Sequence, residues 1–427
     1  MTMEIVKVVA LTGSDCQTAD EIVSTVPKDV APKVQEYFDK AGFDTIHKFS
    51  KDLTCHDVVK KLFQNVTEEE KKKIRRLYTP SCSNTVSEIA HGHFWADIAG
   101  LGNVPVVNVT DGCNGSLTCL ELAYDAMHRF DEGDMVAILC CEFNVYENND
   151  HPIDNSKKRL TKDTMFWAFS SLTVGSAASL TLIRKASSNS SAAWKWDTVV
   201  DNSASKECYA TLTPFCDKWL PNIDKSLPRD ESVFYCNHRA LIKTFVRLFK
   251  DLYKRTNGGI IRDAKAADYV LVHSNSVSMW EAILKPFGVK VTDHVAADIG
   301  NIQTATLWVA LARTLTKKSN STNSGIKKVM YLGVASGASV TAMQFSIDLG
   351  QVQAYYLPKE GDPSIMEESI PFGKMKKDRD IPFTHDTAKG AKQVIGRHQR
   401  NGMAAAATAA LCGVFVMAIT AAATTTS

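Results

Sequence analysis

The sequence predicts an α/β fold made of two similar halves, on three observations. Short β-branched runs alternate with longer segments of helical period, a pattern that lays strands side by side in parallel sheets with helices on both faces. The alternation occurs twice, on either side of a polar, small-residue stretch at 186–192 (ASSNSSA). The 427 residues, 44% hydrophobic and 22% charged, are enough for two or three domains or for one large duplicated fold.

The elements follow in order. Residues 4–11 (EIVKVVAL) read as a first strand, and the N-terminal stretch is too short and too mixed for a signal peptide. Residues 29–78 carry helical patterns with many lysines and end in TEEEKKKIRRL, which reads as a solvated helix. Residues 104–110 (VPVVNVT), bounded by Gly102 and Asp111, suit a buried strand. A helix follows from about 114, with Leu117, Leu120, Ala123, Met127 and Phe130 on one face. Residues 135–141 (MVAILCC) and 179–183 (SLTLI) are two more buried strands.

In the second half, helices are predicted over 238–254, 276–287 and 302–315, and strands over 268–273 (DYVLVH), 327–334 (KKVMYLGV) and 340–346, with a turn at 336–339 (SGAS). The halves are set at 1–185 and 186–350. Residues 351–402, charged and proline-bearing, read as an extension or linker. Residues 403–423 (MAAAATAALCGVFVMAITAAA) carry no charge, follow Lys389, Lys392, Arg397 and Arg400, and have the length of a bilayer-spanning helix. They read either as a membrane anchor or as a low-complexity extension.

Charge and cysteine usage exclude several classes. A formal net charge of +2, with no basic cluster interleaved with aromatics, gives no strong pull on nucleic acid. Eleven cysteines without a C-x-x-C pair argue against a zinc ribbon or a disulfide scaffold and for a reducing compartment. His91 and His93 stand without a neighbouring carboxylate or thiol cluster, so no metal site is expected. Cys140 and Cys141 read as packing residues. Glu142 at the strand end reads as a surface or capping carboxylate in preference to a site residue. Met165, Phe166, Trp167 and Phe169 read as core.

Three residues carry chemistry. Cys113 lies between a strand and an amphipathic helix, flanked by Gly112 and Gly115. At a helix N-terminus the unpaired N–H groups and the dipole favour the thiolate, the nucleophilic form. His273 ends a strand, where sites form in α/β sheets. Asn301 follows Gly300 ahead of another helix, as an N-cap or as a donor. Together they suit acyl transfer: the thiolate takes an acyl group as a thioester, and two neutral N–H donors stabilise the enolate of a second thioester.

The motifs around these residues resemble those of 3-oxoacyl-[acyl-carrier-protein] synthase III and its relatives. VTDGCNGSLTCLELA resembles the family's nucleophile motif, HSNSVSMWEAILKPFGV its His-Gln-Ala-Asn segment and following helix, and GNIQTATLWVAL its Gly-Asn segment. LTVGSAASLTLI and YLGVASGASVTAMQF resemble its Gly-Asp-Gly-Ala strand approach and closing glycine-rich hairpin. The likeness runs in order over about residues 80–350. Ser274, Asn275 and Ser276 replace the Gln-Ala-Asn, and Ser176 replaces the acidic residue. VPVVNVTDGCNGS is also similar to the nucleophile region of sterol-carrier-type thiolases, but their Gly-His-Pro histidine and second Cys-Gly motif have no counterpart.

The resemblance implies a thiolase-like fold of two βαβαβ halves in α/β/α/β/α layers. It implies Cys113 as acyl acceptor, and His273 and Asn301 as decarboxylation or enolate-stabilising residues. The Cys113 N–H, beside Gly112, would form the oxyanion hole with that of Ser336 or Gly337. The implied reaction is a Claisen condensation of an acyl-thioester with a malonyl- or acyl-thioester, in fatty-acid or polyketide-type metabolism. Non-decarboxylative joining of two acyl-CoAs, thioester hydrolysis and a non-catalytic lipid-binding protein are the alternatives. No bound cofactor is expected, with coenzyme A or acyl-carrier phosphopantetheine as substrate carrier. A homodimer is expected, paired through an edge strand at 135–141, with an intracellular, cytoplasmic body that the tail would tether to a membrane.

Overall fold

The computed structural model of the protein describes residues 3–83, 90–144, 152–186, 193–210, 232–318 and 325–357. They belong to one compact unit, Met1–Met366. The apolar segment 403–423 and most of the stretch 186–192 lie outside the described residues. In chain order the strands are β1 Met3–Thr12, β2 Asp15–Thr18, β3 Thr45–Lys48, β4 Ile74–Pro80, β5 Val106–Val109, β6 Met135–Glu142 and β7 Ala177–Lys185, then β8 Trp194–Val200, β9 Cys208–Ala210, β10 Phe234–Cys236, β11 Tyr269–Val272, β12 Ile326–Ala335, β13 Ser339–Asp348 and β14 Gln353–Leu357.

Two large sheets organise the body, in the orders β14-β1-β7-β6-β4-β5 and β11-β12-β13-β8. The helices Gly115–Met127 and Thr306–Lys318 lie between them. Leu117, Leu120, Ala123 and Met127 of the first, with Leu307, Trp308 and Leu311 of the second, share one core with Val8 and Ile138 of the larger sheet and Tyr331 and Phe345 of the smaller. The outer face of the larger sheet is covered by Cys55–Phe63 and Gly92–Ile98, through Val58, Leu62 and Trp95. His238–Arg255, Gly259–Ala266 and Val277–Leu284 cover the smaller sheet through residues such as Phe245, Ile260 and Trp280. The layers are therefore helix, sheet, helix, sheet, helix. The helical face expected at Leu117–Met127 is the one buried.

The structure differs from the sequence expectation in four places. First, the sheets are not purely parallel: β7 runs antiparallel to β1 and β6, and β13 runs antiparallel to β12 and β8. The residues joining β12 to β13 are too few for a parallel crossover, which takes a dozen or more. Second, 135–141 is no edge. β6 pairs with both β7 and β4 and is buried throughout, its unbroken apolar run being that of a central strand. The edges of this sheet are β14 and β5. Third, the stretch 29–78 contains β3 and the start of β4; Arg75 and Arg76 continue the charge of the helix Glu68–Lys73 but already belong to the strand. Fourth, 353–357 is a strand, β14, laid parallel on β1, so the first sheet is completed by chain from beyond residue 350.

Candidate active site

Adjacent parallel strands of the larger sheet deliver the cysteine. β4 and β5 pair through Pro80 and Val109, and the Ser81 N–H continues the ladder to the Val109 carbonyl at 3.4 Å. Past β5 the chain turns through Gly112, whose φ is +47°, and enters the helix Gly115–Met127. A side chain at Gly112 has no room: a Cβ would lie 2.7 Å from Ser336 Oγ and 3.2 Å from the Ser336 carbonyl oxygen. The nucleophile turn is thus pressed against the β12–β13 turn, where Gly337 adopts φ +90°. Asn114 ties the helix start to β13 by donating from Nδ2 to Ser339 Oγ at 2.8 Å.

His273 follows β11, and its backbone N–H donates to the Leu332 carbonyl at 3.0 Å, so the end of the second sheet sets its place. The side chain is 2% exposed. Its Nδ1 lies 3.2 Å from Thr306 Oγ1. Thr306 Oγ1 gives its own proton to the Gln303 carbonyl at 2.8 Å, and the Ser274 hydroxyl lies 2.7 Å from it. The Ser274 oxygen accepts the Ile302 N–H at 3.0 Å. The assignment that satisfies this network has Nδ1–H and the Ser274 O–H both donating to Thr306, leaving Nε2 of the neutral ring as an acceptor toward the cysteine.

Asn301 does not cap the long helix, which begins at Thr306. Its Oδ1 accepts the Gln303 N–H at 3.1 Å, and its own N–H donates to the Thr173 carbonyl at 2.8 Å. With Oδ1 engaged, Nδ2 is left as the donor. Gly300, φ +92°, makes this bend possible: a Cβ there would sit 2.8 Å from the Thr173 carbonyl oxygen.

All three residues open onto one cavity of about 290 Å³, lined also by Gly112 and Ser336 from the nucleophile and hairpin turns. Ile153, Phe234, Leu241, Ile242 and Phe245 form an apolar wall. The Cys113 thiol is held well below its ordinary range. The main cause is a hydrogen bond from the neighbouring Cys82 thiol; burial opposes it, and the charge and hydrogen bond of His273 add to the lowering.

No family model matches this chain, and no curated protein does. Solved structures do. A cysteine-to-serine variant of OleA from Xanthomonas campestris, with bound lauric acid and lauroyl-CoA, is 16% identical with a TM-score of 0.66, over 81% of this chain and 99% of that one. FabH, a 3-oxoacyl-(acyl carrier protein) synthase III from Xanthomonas oryzae pv. oryzae, is 16% identical with a TM-score of 0.64, over 81% and 98%. Cerulenin-bound OleA from X. campestris is 17% identical with a TM-score of 0.63, over 81% and 97%. The chain has the thiolase fold.

Within this thiolase fold, Cys113, His273, Asn301, Gly112 and Ser336 come together, while Gly337 shapes the hairpin turn without lining the cavity. Sequence reasoning did not find Thr306, which orients the histidine, or the three further thiols of the cavity wall, Cys82, Cys208 and Cys236. Cys208 and Cys236 face each other in the β9–β10 pair. Thr306 lies within GNIQTATLWVAL but was not singled out there, and none of the three cysteines stands in a motif; only a turn-flanked position after the β4 run would have pointed to Cys82.

Glu142 is neither a surface carboxylate nor a lining residue. It is 0% exposed. It sits behind the loop, accepting the Cys82 N–H at 2.9 Å and the Ser83 N–H at 3.1 Å, together with the Thr304 hydroxyl. Burial raises it from 4.5 to about 7 against these hydrogen bonds. Met165, Trp167 and Phe169 pack in a core with Phe38 and Leu172, as read from sequence. His91 is buried against Trp95, ring centroids 4.2 Å apart, and among the described residues no cluster could hold a metal. None of the described helices is long and apolar enough to cross a membrane.

Proposed function

We propose that this chain is a condensing acyltransferase that works through an acyl-Cys113 thioester. The observation that carries the reading is that Cys113, His273 and Asn301 open onto one apolar-walled cavity, with the Cys113 thiol held below its ordinary range. The thiolate attacks the carbonyl of an acyl-CoA or acyl-carrier thioester, and the carrier leaves as its thiolate, which takes a proton from water. The Cys113 N–H and the Ser336 turn would meet the oxygen charge that develops. The acyl chain would lie along Leu241, Ile242 and Phe245. A second thioester then forms an enolate, by loss of CO2 from a malonyl group. His273 Nε2, carrying the proton taken from the thiol, and Asn301 Nδ2 would stabilise that enolate. Its carbon attacks the acyl carbonyl, Cys113 leaves as thiolate, and a 3-oxoacyl thioester results.

The presence of lauroyl-CoA in the OleA structure supports a coenzyme-A-borne fatty acyl group as first substrate. We also propose a homodimer, now through β5, which has one sheet partner and lies next to the nucleophile turn. Intact-mass measurement after incubation with a series of acyl-CoAs tests the main reading. The wild type should gain one acyl group, mapped to Cys113, and Cys113→Ala should gain none while keeping its circular-dichroism spectrum. An acyl adduct persisting on the alanine variant overturns it.

A further inference from the structure

The cavity holds a second thiol within reach of the nucleophile. β4 and β5 are neighbours and parallel, so the residues just past their carboxyl ends emerge side by side: Cys82 two positions after Pro80, Cys113 four after Val109. Both line the cavity and neither is closed off from it. The two thiols act on each other: Cys82 lowers the Cys113 thiol, and Cys113 raises that of Cys82. The Cys82 backbone is pinned from behind by Glu142, and the Phe143 N–H donates to Ser83 Oγ at 3.0 Å. The Cys82 Cα is therefore held beside the nucleophile turn, and only rotation of its side chain sets where the thiol lies. In acyl transfer as proposed above Cys82 helps to hold the Cys113 thiol low, but its own sulfur takes no part in the chemistry.

We propose that Cys82 is a resolving thiol: when hydrogen peroxide reaches the cavity, Cys82 and Cys113 close a reversible disulfide that takes the acyl acceptor out of use and shields it from further oxidation. The Cys113 thiolate attacks one peroxide oxygen, the O–O bond breaks, and a sulfenic acid forms as hydroxide leaves and is protonated. The Cys82 sulfur then attacks the Cys113 sulfur, the S–O bond breaks, and the hydroxyl leaves with the Cys82 proton as water. Two thiols have become one disulfide and the peroxide two waters. A dithiol reductant reverses the closure by exchange. The asymmetry suits the chemistry, since a thiolate beside a thiol pairs an attacking group with a resolving one. In a reducing compartment such a bond is transient and regulatory rather than structural. The consequence for acyl transfer rests on the function proposed above, but the disulfide itself does not.

Peroxide treatment of the full-length protein, followed by alkylation and peptide mapping, tests this. In the wild type, alkylation of Cys113 should be lost, a cross-linked peptide pair containing Cys82 and Cys113 should appear, and dithiothreitol should restore full alkylation. In Cys82→Ser, Cys113 should instead gain oxygens that dithiothreitol does not remove. Complete alkylation of Cys113 in untreated Cys82→Ser, taken to its end point at a pH high enough to ionise the thiol in either protein, together with an unchanged circular-dichroism spectrum, shows that the variant is folded around an intact Cys113. A cross-link joining Cys208 to Cys236, or Cys55 to Cys141, with Cys113 still alkylatable, overturns the proposal. So does full recovery of Cys113 in the serine variant. Because alkylation and mass report the result, a protein that forms the bond but takes no acyl group refutes the condensing reading and leaves this one standing.

Discussion

Thr306→Val isolates the residue that orients the histidine. Valine keeps the shape of threonine and removes the one acceptor shared by His273 Nδ1 at 3.2 Å and the Ser274 hydroxyl at 2.7 Å. Ser274 can turn to Asn301 Oδ1, 3.5 Å away, whereas Nδ1 of the imidazole has Thr306 as its partner among the described residues. A neutral hydrogen bond of this kind contributes about 0.5–1.5 kcal/mol net, and a buried donor left alone costs about 1–3 kcal/mol. The ring escapes that cost by moving its proton to Nε2, where it can no longer accept the thiol proton. The thiolate–imidazolium pair then loses up to about 1.4 kcal/mol, or roughly one pH unit in the ionisation of Cys113. Iodoacetamide alkylation of Cys113, followed by peptide mapping from pH 5 to 10, measures it. The midpoint should rise by up to about one unit and the rate near neutrality fall by up to roughly tenfold, while Thr306→Ser, which keeps the hydroxyl, should match the wild type. A Val variant with an unmoved midpoint, or a Ser variant that behaves as Val, refutes the tautomer assignment.

Other outcomes follow from the same contacts. Gly112→Ala puts a Cβ 2.7 Å from Ser336 Oγ at φ +47°, and should lower stability by about 1–3 kcal/mol, read as a drop in thermal midpoint; an unchanged midpoint contradicts the packing of the two turns. Glu142, raised from 4.5 to about 7, binds its proton more tightly folded than unfolded, so its contribution is whole below pH 4.5 and is lost as pH rises through 7. The loss is on the order of 3 kcal/mol. The urea midpoint should therefore fall from pH 5 to pH 8 in the wild type and fall less in Glu142→Gln, and equal falls would count against the buried carboxyl. Light scattering at micromolar concentration should give the mass of a dimer, and Val107→Lys on the β5 edge should shift it toward monomer; a wild-type monomer removes that proposal. If residues 403–423 anchor the chain, the full-length protein should resist carbonate extraction and a chain ending at Asn401 should not; equal extraction makes the segment a soluble extension.

Much of the fold was legible because it rests on local periodicity. An apolar residue at every third or fourth position, as from Leu117 to Met127, buries one helical face whatever the partner is, and a run such as MVAILCC can only be buried. The junctions that carry Cys113 and His273 were readable for the same reason: a strand ends and a helix begins, with glycines turning the chain at the cysteine, whereas Asn301 follows a short helix, Val295–Ile299. Strand order was not legible. The unbroken apolar run at 135–141 fits a central strand but does not say which strands pair with it, and nothing in Gln353–Leu357 announces its return to β1, because ladder partners are chosen by the closing of the whole sheet. The site divides along the same line. The sequence alone determined which cysteine stands at a helix start between glycines, since that is a property of adjacent residues. The tertiary structure decided that Cys82 touches it, that Thr306 orients His273 and that Glu142 lies buried behind the loop, since each of these depends on which strand and helix ends meet when two sheets pack on shared helices.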